Sequence, residues 1–107
     1  MDNNFSSLVK RLVGIRLKVG MSRYALAKEL DVSNQHLLKF EKEEVRSAVL
    51  LVNYIYFFNK MGVDADYIIN GTGEPGWSEV SDNVKHLLAE RKRTRRCVGN
   101  VDEDFII

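Results

Sequence analysis

The sequence predicts an all-α protein. Apolar residues recur at intervals of three and four, serines stand where helices would begin, and a single proline accompanies seven glycines. At 107 residues the chain suits one domain. No apolar stretch approaches the ~20 residues of a membrane span. The start, Met1-Asp2-Asn3-Asn4, lacks the charged and then apolar pattern of a signal sequence. Cys97 is the lone cysteine, which excludes an internal disulfide and suits a reducing compartment, so a cytoplasmic protein is expected.

Phe5, Leu8, Leu12, Ile15 and Val19 form one stripe of a first helix, with Lys10, Arg11, Arg16 and Lys18 on its flanks or far side. Gly20 ends it, because glycine accepts a left-handed cap without steric cost. Ser22 is the N-cap of a second helix, Arg23 to Leu30, and Ser33 that of a third, Asn34 to Glu41. Asp31-Val32 between them makes a tight corner. A fourth helix runs from Ser47 or Ala48 to Lys60. Val52, Ile55, Tyr56 and Asn59 follow helical spacing there, but the segment is apolar almost all round, which predicts burial on more than one side and a subunit contact. Gly62 ends it, and Asp64 caps a fifth helix holding Tyr67, Ile68 and Ile69. Residues 70–76 contain three glycines and the proline, so they read as a loop or hinge. Beyond it, Ser81 or Asp82 caps a sixth helix at about 82–93, with Val84, Leu87 and Leu88 on one face. The expected organisation is a helical domain over 1–76 and an extension over 77–107, helical or partly disordered.

Charge is unevenly placed. The net is only +1, yet residues 1–30 carry +4, and Arg91-Lys92-Arg93-Thr94-Arg95-Arg96 gathers five bases. Phosphate attraction acts locally, over a Debye length of ~8–10 Å, so a nearly neutral chain can still present a positive face. That run could track phosphates, meet an acidic partner or only solubilise a helix end.

The segment 23–42 carries the functional signal. Two helices that cross steeply over a short turn need a small residue at the contact, and Ala27 supplies it. Val32 plugs the corner, Leu37 and Phe40 anchor the second helix, and Asn34, Gln35, His36 and Lys39 are left polar and outward. This pattern resembles the lambda-repressor-like (Xre/Cro-type) helix-turn-helix family over residues 8–73. The likeness runs through Ser22 to Leu30, Val32-Ser33, Leu37, Phe40-Glu41 and Met61-Gly62-Val63-Asp64. It ends with Tyr67-Ile68-Ile69-Asn70-Gly71-Thr72-Gly73-Glu74.

The resemblance implies a five-helix DNA-binding domain whose third helix enters the major groove of double-stranded DNA. Arg23 stands where members have a glutamine that grips a phosphate. Ser33 and Asn34 would meet backbone or bases, and Gln35 would read base edges, since an amide both donates to and accepts from adenine. His36 and Lys39 face the same way, with Lys42 at the helix end. Two departures matter. Asp31 replaces the usual turn glycine, a change that aspartate tolerates in the left-handed region at some cost. Lys42-Glu43-Glu44 replaces a segment that normally touches the DNA backbone, which implies weaker binding or a loop turned away.

His36, His86 and Cys97 share no recognised metal-ligand spacing, and no cofactor is expected. Gly71-Thr72-Gly73 lacks the flanks of a phosphate loop. No nucleophile–base set or carboxylate pair stands out, so an enzyme has little support. Trp77 is expected to pin the extension to the domain, and Tyr54, Tyr56, Phe57 and Phe58 to form core with a possible dimer contact. The expected function is a sequence-specific transcriptional regulator of the repressor type, working as a homodimer. The alternative is a protein-interaction module or antitoxin on the same scaffold.

Overall fold

A computed structural model describes residues 5–101, with side chains through Arg91. Six helices and no strand occur among the described residues: α1 (Phe5–Lys18), α2 (Arg23–Leu30), α3 (Asn34–Glu41), α4 (Ala48–Lys60), α5 (Ala65–Asn70) and α6 (Trp77–Val101). Among them, no helix is long and apolar enough to cross a membrane.

Local chemistry sets the first five. The hydroxyls of Ser22, Ser33 and Ser47 accept from the amides of Ala25, His36 and Leu50 at 3.0–3.1 Å, so each serine starts its helix as expected. The carboxylate of Asp64 does the same for Asp66 at 3.3 Å. Helix ends follow a common pattern. Gly20 (φ 74°), Asp31 (φ 59°) and Glu43 (φ 64°) are left-handed, and the next residue's amide reaches back to a carbonyl five positions earlier. Those bonds are Met21 to Arg16, Val32 to Ala27 and Glu44 to Lys39, at 2.8–3.0 Å. Asp31 thus makes the turn that the sequence assigned to it.

Glu43 occupies a conformation that favours glycine. Exchanging it for glycine relieves ~1–2 kcal/mol of backbone strain, partly offset by the greater entropy of glycine in the unfolded chain. Glu43→Gly is therefore expected to raise the melting temperature by a few degrees. Asp31→Gly, starting from a more tolerant residue, should gain less; a Glu43→Gly chain that melts lower than wild type would contradict this reading.

The core joins Val9, Leu12, Ile15, Leu26, Ala27, Leu37, Phe40, Leu50, Tyr54, Phe58 and Ile68, with Val80 and Val84 from α6. Ala27 is 1% exposed at the heart of this packing, and Val32 is partly buried against it. Aromatic rings run through the centre: Phe5 meets Phe40 edge-on at 5.6 Å, Phe40 meets Tyr54 at 6.1 Å, and Tyr54 meets Phe58 at 5.9 Å.

Three expectations need correcting. In α1, Val9 rather than Leu8 is fully buried, and Arg16 lies inside rather than on a flank. In α4 the inward face is Leu50, Tyr54, Phe57 and Phe58, whereas Val49, Val52 and Tyr56 are 72%, 61% and 61% exposed. A helix apolar all round offers two candidate stripes, and only its neighbours choose between them. The sixth helix starts at Trp77, not at Ser81 or Asp82. The amide of Val80 bonds the carbonyl of Gly76 at 3.0 Å, so the first turn follows Pro75-Gly76 directly. Trp77, Val80 and Val84 then fall on the face turned to the core, which draws the early turns of α6 into the domain.

Trp77 stands edge-on to Tyr67 at 5.7 Å, with the Lys18 ammonium 5.7 Å from its ring, so it pins α6 to α1 and α5 as expected. Asn83 adds a 2.7 Å bond to the carbonyl of Met61. At the far end, Arg91 pairs with Glu29 of α2 at 2.9 Å. The side chains of the rest of the basic run, 92–96, and of Cys97 lie outside the described residues, as does the segment 102–107.

Candidate nucleic-acid interface

The candidate surface is the outer side of α3. Leu37 and Phe40, three residues apart and fully buried, hold one side of this eight-residue helix to the core. Gln35 and Lys39 lie opposite them and are exposed, as are Asn34 at the first turn and Lys42 just past the helix end, with His36 and Leu38 half-buried. Of the sequence-derived residues of α3, Asn34, Gln35 and Lys39 are exposed, and His36 is half-buried. Ser33 lies at its start, exposed, its hydroxyl already committed to the amide of His36. The first amides of α3 and the positive end of its dipole point the same way, which suits an anion.

Below this face lies a charge cluster that sequence reasoning missed. The Glu41 carboxylate, 5% exposed, accepts four bonds from three helices. Arg16 Nε and Nη2 donate to it at 3.0 Å in a paired fork, Arg23 Nε donates at 3.0 Å, and the Tyr54 hydroxyl donates at 2.8 Å. Arg16 Nη1 donates in addition to the carbonyl of Met21 at 3.0 Å. One carboxylate of α3 is thus tied to α1, α2 and α4. A signal was available: Arg16 stands four residues after Leu12 and three before Val19, inside the apolar stripe rather than beside it.

This cluster changes the reading of Arg23. Its Nε is held by Glu41, with about a third of the side chain still exposed (34%). It braces α3 from behind as well as facing outward. The +4 charge of residues 1–30 is spent in a similar way. Arg16 is buried and paired, and Arg11 Nη1 donates to the carbonyls of Ile68 and Ile69 at 2.8 and 3.1 Å, holding the end of α5. Lysines, rather than these arginines, supply the outward positive charge near α3. Glu43 and Glu44 are exposed beside Lys42, so the acidic departure noted in the sequence lies on the surface.

Burial, reinforced by the negative charge of Glu41, pushes the Tyr54 hydroxyl far above the ordinary phenol range. The folded state therefore holds this proton more tightly than the unfolded state does. The associated stability is complete below about pH 10, the unfolded tyrosine value, and is lost as the pH rises beyond it. Stability is expected to fall more steeply above pH ~10 in the wild type than in Tyr54→Phe, measured by urea unfolding across the alkaline range. Parallel curves for the two chains would refute the assignment.

No known family model, curated protein or solved structure matches the chain.

Proposed function

We propose that the chain is a sequence-specific regulator that binds double-stranded DNA, with α2 and α3 acting as a helix-turn-helix and α3 entering the major groove. The observation that carries this reading is the outer side of α3. A donor–acceptor amide (Gln35), a second amide (Asn34) and an ammonium group (Lys39) are exposed on a helix held to the core by Leu37 and Phe40, with a second ammonium group (Lys42) just past its end. A reader of base edges needs that combination, because hydrogen-bond discrimination is lost if the helix can roll. The resemblance of residues 8–73 to the lambda-repressor-like family supports the same reading and suggests a repressor acting as a homodimer. Its paired half-sites would then lie about one helical turn, ~34 Å, apart.

Selection from a random DNA pool, followed by fluorescence anisotropy on the recovered sites, tests the proposal. Gln35→Ala with Lys39→Ala is expected to weaken specific binding by about 1–3 kcal/mol or more, roughly fivefold to more than a hundredfold, with the melting temperature unchanged. Affinity should fall with salt by ~0.9 log units per phosphate contact. Indifference of specific binding to the double variant would refute the assignment of this face.

The exposed Glu43 and Glu44 favour a second reading, a protein-interaction module or antitoxin on the same scaffold. Co-purification of a partner, together with absence of salt-sensitive DNA binding, would select it.

A further inference from the structure

A groove of about 810 Å³ runs between α2 and α6. Its floor and walls are Tyr24, Ala25 and Lys28 of α2 and Lys85, Leu88 and Ala89 of α6, and the Arg91–Glu29 ion pair lies at its edge. Tyr24 is 60% exposed there, and the lining is mainly apolar. Glu29 answers the charge of Arg91. Lys28, whose ammonium lies 5.1 Å from the Tyr24 ring, and Lys85 have no carboxylate partner among the described residues, so the groove is apolar with two positive charges that no acid answers.

The chain carries a segment of complementary chemistry. Residues 102–107 read Asp-Glu-Asp-Phe-Ile-Ile, three carboxylates followed by three large apolar side chains. An acidic segment with an apolar end matches a groove with basic residues and an apolar floor. We infer that residues 102–107 of a second copy of this chain dock in the groove between α2 and α6, each copy filling the groove of the other.

Length selects the second copy over the chain's own tail. Val101 ends α6 thirteen residues past Leu88, about 20 Å at the helical rise of ~1.5 Å per residue. Six extended residues span at most ~20–22 Å, and a reversal of direction uses part of that. The carboxylates at 102–104 can reach back only ~10 Å, whereas Lys85 stands sixteen residues, ~24 Å, before Val101. They therefore fall short of their own Lys85; a two-fold arrangement of two chains has no such limit. The inference does not rest on DNA binding. A dimer that ignores DNA would leave it standing, and a monomer that binds DNA would overturn it while leaving the DNA-reading role of α3 intact.

The test is sedimentation of the full chain and of two charge-reversed versions. One carries Lys28→Glu and Lys85→Glu; the other carries Asp102→Lys, Glu103→Lys and Asp104→Lys. The wild-type chain should be a dimer at tens of micromolar and weaken in high salt. Each reversed chain alone should dimerise at least tenfold more weakly, because its tail and groove then carry the same sign. Mixing the two should restore a one-to-one dimer, since each tail now meets an opposite groove. A chain ending at Val101, with its helical circular dichroism intact, should be monomeric. A wild-type monomer, a dimer that survives removal of 102–107, or no recovery on mixing would each overturn the inference.

Discussion

Glu41→Gln is expected to cost ~3–5 kcal/mol of stability, because it leaves the Arg16 guanidinium buried without its counter-charge. Arg16 is 5% exposed and cannot turn to water without opening the junction of α1 with α3. In a domain of this size each kcal/mol moves the midpoint by about 4 °C or more, so the melting temperature should fall by ~12 °C or more. Total stabilities of ~5–15 kcal/mol mean that the variant keeps only a thin margin. The isosteric change leaves volume untouched, so the loss reports charge and hydrogen bonding. Replacing the buried polar groups together, as Arg16→Met, Glu41→Leu and Tyr54→Phe, should recover much of it, since an apolar set leaves neither an unmatched charge nor an unpaired Tyr54 hydroxyl. Arg23→Gln should cost at most about 1 kcal/mol, because its bond to Glu41 is partly in water. A Glu41→Gln chain melting within ~3 °C of wild type would show that the cluster contributes little.

Phe40→Ala is expected to cost a similar ~3–5 kcal/mol, by a different route. The ring is fully buried between Phe5 of α1 and Tyr54 of α4, and deletion opens a cavity that two rigid neighbours cannot close. An eight-residue helix has little stability of its own, so α3 depends on the anchors Leu37 and Phe40. Hydrogen exchange should therefore show the amides of α3 losing protection before those of α1. Under the proposed function, specific DNA binding should fall with it although no outward residue has changed. Leu17→Ala, at a side chain 64% exposed, should alter neither. Uniform loss of protection across all helices would mean that α3 does not open separately.

Both predictions concern the rear of the candidate interface, which sequence reading reached only in part. The outward residues were legible because Asn34, Gln35 and Lys39 interrupt an apolar spacing that Leu37 and Phe40 define. Glu41 was visible as a member of a motif but not as the centre of a cluster. Its partners stand 25, 18 and 13 positions away in the chain, and no local pattern joins them.

The first five helices, their serine and aspartate caps and the left-handed corner at Asp31 could be read directly from the amino-acid order. Each depends on bonds spanning five residues or fewer, so neighbouring residue types suffice to specify them. Folding in three dimensions settled which side of α4 turns inward, that Arg16 is buried, and that α6 begins at Trp77. Those outcomes depend on which distant surfaces compete to cover an apolar side chain or answer a charge. That competition is decided only when all the helices are packed together.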